Sequence, residues 1–440
     1  MRTTRFTVMG AVSIAAVLAL SACAGNATNS TGAKGTIGTP AGAGKTITVW
    51  GMADDLSPDT LNAINAEFTK KTGAKVKLEV QAWDGITTKI TTALATSTPP
   101  DVMDLGNTQI PGYAANGGLL DLTPYKKELK QGNTWLAGLE LPATVDGKLY
   151  GVPSFAGSRA VIYNKTLWAA AGVTKAPTTY QELTADLDKI KGAHSESDFS
   201  AFYYPGQYWY AGLPWVWDAG GDIATLSNGK WTANFSSDKA QQGLTDFKKF
   251  QNTYSSVASR TLYIHKPEQN QLFADGKAAA IFYTSAAIKD IRKANPKLTD
   301  ADLGTFPFPG KSGKPQPVAL GGSDWGIAAK SQNQNLALLW AKIAASPDIQ
   351  NTYVFAKDGW IPNSTEGIKA AQGTGLPPLT EGFFAAALNS RSTPAAASWP
   401  TIEEDQSLQQ FFSSIASGSK SPADAAKFFD SHATSVLNGN

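Results

Sequence analysis

The chain is 440 residues long, which is enough for two domains with substantial hydrophobic cores. Its 38 lysine and arginine residues nearly balance 36 aspartate and glutamate residues, and no basic block occurs, which argues against nucleic acid as a partner and against electrostatic membrane binding. A single cysteine excludes an internal disulfide, so an exported form of the chain must fold on its core alone.

The first residues have the pattern of an export signal. Arg2 and Arg5 precede an apolar run over 8–20. That run is too short to cross a bilayer as a helix, but it suits the central part of a signal peptide. We therefore expect 1–22 to be a signal peptide.

Small residues follow this run and lead into Cys23. The arrangement resembles the lipobox of bacterial lipoproteins, in which the chain is cut before the cysteine and the cysteine is acylated. The alternative is an ordinary cleavage site after Ala22. We expect 23–44 to be a lipidated cysteine and a flexible linker, because the segment is small and polar and has no aromatic residue.

Strand and helix patterns alternate after the linker. Strands are expected at 47–50, 76–80 and 102–105. Ser57 is expected to cap the first intervening helix, which would end at Gly73, and Asp84 to cap the second. This order predicts a parallel sheet of an α/β domain.

A series of different short motifs runs along the chain almost to the C-terminus. They are Ile47-Thr-Val-Trp50, Pro100-Asp-Val-Met-Asp104, 117–122, Tyr150-Gly-Val-Pro153, Tyr163-Asn-Lys165, 177–182, 273–280 and Gly321-Gly322-Ser323. In this order and spacing they resemble the extracellular solute-binding proteins of ABC importers, the large family that includes the maltose-binding proteins. The resemblance implies an α/β, two-lobe periplasmic-binding-protein-like fold of type II, in which each lobe is a mainly parallel sheet flanked by helices and a hinge joins the lobes.

The resemblance also implies that each lobe is assembled from separate chain segments. Crossings are expected near 155–158, 283–286 and 328–331. Lobe one would then comprise 45–156 plus 285–328, and lobe two 158–283 plus 331–440. The ligand would be buried in the cleft between the lobes, and the closed form would dock on the transmembrane subunits of an ABC permease.

Carbohydrate is the ligand class that the aromatic content favours. A sugar presents hydroxyls and C–H faces, so its site needs aromatic rings beside polar side chains. Half of the residues in 202–217 are aromatic, and glycine and proline residues among them predict that much of this segment is loop. The density of rings favours an oligosaccharide, and the alternative is that the rings form core.

Candidate ligand-binding residues were sought beyond the carboxyl ends of the strands, at the crossings and in the aromatic segment, because open α/β sheets bind ligands at strand ends. They are Asp54, Trp83, Asp84, Asn107, Arg159, Trp209, Trp215, Trp217, Asp218, Tyr283, Asp324, Trp325 and Trp360. The resemblance favours Trp217 and Asp218 as the leading pair. For three of these residues there is an alternative role: Asp84 could cap a helix, Asn107 could be a turn residue, and Arg159 could form an interlobe ion pair.

Enzyme signatures are sparse, and neither a cofactor nor a metal is expected. The three histidines are scattered, without zinc-site spacing, and no nucleophile elbow occurs. A secreted glycoside hydrolase stays open, because its two carboxylates can come from anywhere in a chain. The acidic run 403–405 is expected to be a solvated helix end instead. A glycan-binding surface adhesin is the other alternative.

The favoured hypothesis is thus a binding protein and not an enzyme. We expect an exported monomer, anchored by lipid alone to the outer face of the cytoplasmic membrane. It would capture a carbohydrate and deliver it to the permease.

Overall fold

The computed structural model describes residues 35–265 and 268–439. The predicted signal peptide and Cys23 lie outside the described residues. Within the described ranges, no helix combines the length and the apolar character that a membrane span requires.

Short strands alternate with helices along most of the chain. The strands are Thr46–Met52 (β1), Lys75–Gln81 (β2), Val102–Gly106 (β3), Thr144–Val145 (β4), Lys148–Leu149 (β5), Gly151–Gly157 (β6), Arg159–Asn164 (β7), Ala224–Ser227 (β8), Lys230–Ala233 (β9), Ala280–Thr284 (β10), Leu303–Phe306 (β11), Val318–Ala319 (β12), Gly321–Ile327 (β13) and Ser390–Arg391 (β14). The helices up to the middle of the chain are Pro58–Thr72 (α1), Ile86–Ala95 (α2), Ile110–Ala115 (α3), Lys126–Lys130 (α4), Ala137–Glu140 (α5), Lys165–Ala170 (α6), Tyr180–Gly192 (α7), Trp209–Asp218 (α8) and Asp238–Tyr254 (α9). The later ones are Gln269–Ala274 (α10), Ala286–Ala294 (α11), Gln334–Ala344 (α12), Pro347–Ile349 (α13), Thr365–Gly373 (α14), Glu381–Ala387 (α15), Trp399–Glu404 (α16), Ser407–Ser417 (α17) and Pro422–Leu437 (α18).

The first sheet has five strands in the order β2-β1-β3-β13-β6. β1 is parallel to β2 and β3, whereas β13 is antiparallel to both of its neighbours. The mainly parallel sheet that the sequence predicts is therefore present. Ser57 caps α1 by accepting a hydrogen bond from the Thr60 N–H, and Gly73 ends the helix in the left-handed conformation, both as predicted.

The second sheet is centred on β7, which runs antiparallel to both β10 and β11. Ser200 and Tyr203 extend it through parallel bridges beside β10. This sheet is therefore mixed and not mainly parallel. β7 follows β6 after Ser158 alone, so one stretch of chain supplies a strand to each of the two sheets.

The buried apolar side chains form two separate cores, one for each lobe. The first core draws on 37–155 and 325–354. The second draws on 156–320 and 361–437, together with α5. By this division the chain crosses between the lobes at 155–156, near Leu320 and again after Val354.

These cores divide the chain differently from the expected ranges. Residues 285–320, expected in lobe one, pack with the second core, because β11 pairs with β7 and Ile291 of α11 is buried there. Helix α12, expected in lobe two, packs with α1, and its Trp340 lies in the first core. Part of the expected linker also belongs to lobe one, since Ile37 is buried in the first core.

The aromatic segment is more regular than predicted. Trp209–Asp218 forms helix α8 with Pro214 inside it. A proline within a helix removes a backbone hydrogen bond and costs about 3 kcal/mol. Burial of side chains on almost every position of α8 offsets that cost, and it explains why the helix forms against the local sequence preference.

Candidate ligand-binding cleft

A cavity of about 640 Å³ lies between the lobes, beside the junction of β6 and β7. Its volume is within the range of small-molecule sites. The lining residues are Asp55, Trp83, Phe155, Gly157, Arg159, Thr284, Ser285, Ala286, Lys289, Gly321, Gly322, Ser323, Asp358, Gly359 and Trp360. A second cavity of about 670 Å³ is lined by residues of α1 and α12 and contains none of the predicted ligand-binding residues.

Asp55 organises the first-lobe wall of this cleft. Its carboxylate accepts hydrogen bonds from Ser323 Oγ at 2.9 Å and from Trp83 Nε1 at 3.3 Å. Its backbone carbonyl accepts a hydrogen bond from Trp360 Nε1 at 2.7 Å. The Trp360 ring also packs on Phe155, with centroids 4.6 Å apart. Both tryptophan rings are thus held by hydrogen bonds to Asp55, and Trp83 is 38% exposed.

The predicted ligand-binding residue Asp54 is one position away from the aspartate that lines the cavity. Asp54 adopts a left-handed φ of 68° and is exposed, so the chain turns there and Asp55 lines the cavity instead. Sequence reasoning selected the loop after β1, and Asp55 of that loop lines the cavity. It could not select between two adjacent aspartates, because the choice depends on the turn.

Arg159 reaches the cleft from the second lobe and is held firmly. Its Nε donates to the Tyr208 hydroxyl at 2.8 Å, and its Nη1 donates to the Ala319 carbonyl at 3.0 Å. The guanidinium lies over the Tyr210 ring, 3.8 Å from the centroid. Among the described residues no carboxylate lies within ion-pair distance of it, so the alternative interpretation of Arg159, an interlobe ion pair, is not observed there.

Tyrosine rings continue this second-lobe wall. The centroid of Tyr208 lies 6.0 Å from that of Tyr263 and 5.8 Å from that of Tyr283. Tyr208 is buried, whereas Tyr210, Tyr263 and Tyr283 are partly exposed. The predicted residue Tyr283 therefore contributes to the aromatic wall and also borders a smaller surface cavity next to α11. Burial raises the pKa of Tyr283 to about 12, so its ring carries a neutral hydroxyl.

Two further carboxyl groups lie behind the first-lobe wall. Asp104 and Asp324 are almost wholly buried, and desolvation raises the pKa of each well above its usual range. The pKa of Asp55 is also raised, first by desolvation, against hydrogen bonds from Ser323 and Trp83 that lower it. Burial without cationic partners therefore favours the protonated forms of Asp104 and Asp324.

Other predicted residues lie away from the cavity. Trp209, Trp215 and Trp217 are 3% exposed or less and belong to the second core. Asp218 accepts hydrogen bonds from the Lys311 N–H at 2.7 Å and from the Ser312 hydroxyl, so it holds a turn. The expected pair of Trp217 and Asp218 is therefore not brought to the cleft, because α8 directs these side chains into the second lobe.

Three further candidates lie in the first lobe. Asn107 is buried and donates to the carbonyls of Leu320 at 3.1 Å and Gly138 at 3.4 Å, which joins the lobes. Trp325 is fully buried against Trp340. Asp84 is exposed and is not the helix cap, because Gly85 occupies the cap of α2 with a φ of 68°.

Sequence reasoning missed several residues that line the cleft. Phe155 lies at the first expected crossing and Ser323 in the motif Gly321-Gly322-Ser323, and neither was chosen as a contact. Asp358 precedes Trp360 in the same turn, and its Oδ2 accepts a hydrogen bond from the Ser57 N–H at 3.2 Å. Lys289 lies on α11, and its sequence context carries no signal for a ligand site.

Residues 54–351 match the sequence pattern of the bacterial extracellular solute-binding proteins. The chain belongs to this family. It is therefore a solute-binding protein and not an enzyme, as predicted. No group of side chains that could hold a metal ion is found in 35–265 or 268–439.

Two curated relatives are similar over most of the chain. The diacetylchitobiose-binding protein DasA of Streptomyces coelicolor is 37% identical over 388 residues, which is 88% of each chain. The maltodextrin-binding protein MdxE of Bacillus subtilis is 25% identical over 352 residues, covering 74% of this chain and 75% of MdxE.

Solved structures confirm the two-lobe fold. The sugar-binding protein MalE of Xanthomonas citri superposes with a TM-score of 0.77 at 22% identity, over 89% of this solute-binding protein and 97% of MalE. A cyclo/maltodextrin-binding protein in complex with maltotetraose gives a TM-score of 0.74 at 22% identity, over 88% and 97% of the two chains. At these identities the likeness shows the fold alone.

Proposed function

We propose that this solute-binding protein captures a carbohydrate of two or more sugar units in the interlobe cleft and delivers it to an ABC permease. The observation that carries the proposal is the wall in which Trp83 and Trp360 are both hydrogen-bonded to Asp55 and face a cavity shared with Arg159. Indole rings take the C–H faces of a sugar, and the carboxylate and guanidinium take its hydroxyls.

The ligand we favour is diacetylchitobiose. The 37% identity to DasA extends over 88% of both chains, so it includes the segments that form the cleft. The cavity of about 640 Å³ also supports a ligand larger than one sugar unit. A maltodextrin is the second candidate, supported by the similarity to MdxE.

Capture would proceed by closing of the lobes. Arg159 and Lys289 approach from one lobe and the two tryptophans with Asp55 from the other, so a ligand that contacts both walls shifts the population toward the closed form. The closed form would be the one that the permease recognises. For attachment we propose export of a monomer and acylation of Cys23, which places the cleft outside the cytoplasmic membrane.

Isothermal titration calorimetry of the chain from Ala24 onward tests the proposal, with diacetylchitobiose, maltose and maltotetraose as ligands. We expect saturable binding of one sugar class. Trp360→Ala and Trp83→Ala should each weaken binding at least tenfold, a loss of about 1.4 kcal/mol, because each removes one stacking surface.

Trp231→Ala is the matched control, because Trp231 lies on β9 outside the cleft lining and its loss should leave affinity unchanged. Absence of binding to every sugar in the panel would contradict the carbohydrate proposal. Equal effects of Trp231→Ala and Trp360→Ala would contradict the proposed site.

A further inference from the structure

A smaller cavity on the second lobe, called the side pocket below, is separate from the interlobe cleft. Its volume is about 410 Å³, and its lining residues are His265, Glu268, Asn270, Gln271, Tyr283, Asp290, Lys293 and Ala294. None of these residues lines the cleft. Helix α10, which supplies two of them, packs against both α11 and β10. The side pocket is therefore built from regular elements of the second lobe.

The side pocket and the cleft are supplied by the same two elements. Strand β10 gives Tyr283 to the side pocket and the next residue, Thr284, to the cleft. Helix α11 gives Lys289 to the cleft and the next residue, Asp290, to the side pocket. Both of these helix side chains are exposed. The two cavities are thus neighbours along the exposed face of α11.

Asn270 supplies a buried acceptor to the side pocket. The residue is 4% exposed, and its Nδ2 donates a hydrogen bond to Asp290 Oδ2 at 3.4 Å. Its Oδ1 is buried and has no hydrogen-bond partner within 35–265 and 268–439. A flipped amide would place Oδ1 against the Asp290 carboxylate oxygen, another acceptor, so the orientation with Oδ1 free is favoured. A buried acceptor of this kind is costly unless a donor reaches it.

The other groups of the side pocket fit a neutral ligand that carries hydroxyls. Glu268 Oε2 is paired with His265 Nδ1 at 3.1 Å, and Asp290 and Lys293 carry opposite charges, so neither sign dominates. Tyr283 is partly exposed and offers an aromatic ring. A ring beside a buried acceptor suits a sugar unit, since the C–H face of the sugar packs on the ring and a hydroxyl donates to the acceptor.

We propose that the side pocket is a further sugar subsite, in which a hydroxyl of a third sugar unit donates a hydrogen bond to Asn270 Oδ1 while two units occupy the cleft. This inference rests on the proposed carbohydrate function. The third unit packs its C–H face on Tyr283, at the boundary with the cleft. Asn270 is then a specificity-determining residue for chain length, and the protein favours the longer members of a sugar series.

Isothermal titration calorimetry with a disaccharide and a trisaccharide of the same series tests this inference. The two pairs are diacetylchitobiose with triacetylchitotriose, and maltose with maltotriose. Within the series that binds, we expect the wild type to bind the trisaccharide about tenfold more tightly than the disaccharide, because the third unit satisfies Asn270 Oδ1. In Asn270→Ala this ratio of affinities should fall to about one, because the acceptor is removed.

Asn252→Ala is the matched control. Asn252 lies on α9, and its Oδ1 is likewise buried without a hydrogen-bond partner among the described residues, but it lines neither the cleft nor the side pocket. This variant should keep the wild-type ratio. Asp290→Ala is a second side-pocket variant, at an exposed position where folding should be unaffected. It should also lower the ratio, because Asp290 holds the Asn270 amide.

Equal affinity of the wild type for both sugars of a series would overturn the subsite. An unchanged ratio in Asn270→Ala would overturn it as well, and if that variant fails to bind the disaccharide, the ratio in Asp290→Ala decides in the same way. These results would leave the carbohydrate function intact, because the wild type still binds the disaccharide. Absence of wild-type binding to every sugar would instead overturn the proposed function itself.

Discussion

Asp324 shows how burial sets the behaviour of a single residue. It lies in β13, is fully buried, and neither carboxylate oxygen finds a hydrogen-bond partner among the described residues. Desolvation raises the pKa of Asp324 well above its usual range. The folded state therefore keeps this proton to a higher pH than the unfolded state does. Stability from this group is full below the unfolded-state pKa and is lost as pH rises toward the folded-state pKa.

Asp324→Asn should remove this pH-dependent loss, because the amide has nearly the same size and does not ionise. We expect the variant to unfold at a higher temperature than the wild type, by a margin that grows from pH 5 to pH 8. At pH 8 the difference in the free energy of unfolding should be on the order of 1 kcal/mol. Thermal unfolding followed by circular dichroism measures it. Asp84→Asn, at an exposed position, should show no such trend. A lower unfolding temperature for Asp324→Asn at pH 8 would contradict the assignment.

Three residues that line the cavity were predicted, each from a different signal. Trp83 follows a predicted strand, Arg159 lies at the first expected crossing, and Trp360 was chosen from the family resemblance. Trp215 and Trp217 have the same composition signal but lie in the second core. Burial was the missing information, because an aromatic ring serves a core and a sugar site equally well.

At the scale of elements, the contact between α8 and α9 depends on a close backbone approach. A side chain at Gly243 of α9 would place its Cβ 2.4 Å from the Trp215 carbonyl oxygen and 2.7 Å from Val216 Cα. These are backbone atoms of α8, so the helices would have to separate. The small residue lets the two helices enclose the aromatic half of the second core.

Gly243→Ala should therefore destabilise the protein by about 1–3 kcal/mol, despite the higher helix propensity of alanine. Gly192→Ala is the matched comparison, because Gly192 ends α7 with open space around its Cβ position. That variant should be neutral or up to about 1 kcal/mol more stable. Urea unfolding of both proteins measures the difference, and an unchanged midpoint for Gly243→Ala would contradict the packing argument.

The first elements of the chain were predictable because their signals are local. Ser57 with Pro58 starts α1 and Gly73 ends it, and each effect is complete within one helical turn. Helix α8 was not predictable in this way. Pro214 is a local signal against a helix, whereas the burial that stabilises α8 comes from α9, α17 and other distant parts of the chain.

At the scale of the whole molecule, the division into two lobes was predictable and the assignment of segments was not. The family resemblance implied discontinuous lobes, which the two cores show. Residues 285–320 belong to the second lobe because β11 pairs with β7, which lies about 140 residues earlier in the chain. Such pairing leaves no mark in local composition, since β11 is a short apolar strand that fits either sheet.

The crossings between the lobes also determine how the cleft can close. β6 continues into β7 after Ser158, and β13 begins directly after Leu320. Gly322 in β13 has a φ of 136°, and a Cβ there would lie 2.2 Å from the Phe155 carbonyl oxygen of β6. The strands at the base of the cleft are thus closely packed, so we expect the lobes to rotate as rigid bodies about these crossings.

Saturating diacetylchitobiose should therefore reduce the radius of gyration measured by small-angle X-ray scattering. A compact chain of this length has a radius of gyration of about 22 Å by general scaling, and an open two-lobe molecule is more extended. Ligand that contacts Asp55 on one wall and Arg159 on the other favours the closed form, and the molecule should approach the compact value.

Trp360→Ala separates closure from nonspecific compaction by sugar. At a concentration that saturates the wild type but not this variant, the variant should keep its ligand-free radius, because Trp360 supplies part of the first-lobe wall. If binding occurs by calorimetry while the wild-type radius stays constant, the ligand binds an already closed cleft. Rigid-body closure would then be wrong for this protein. The free energy of binding would come from contacts that are already in place before the ligand binds.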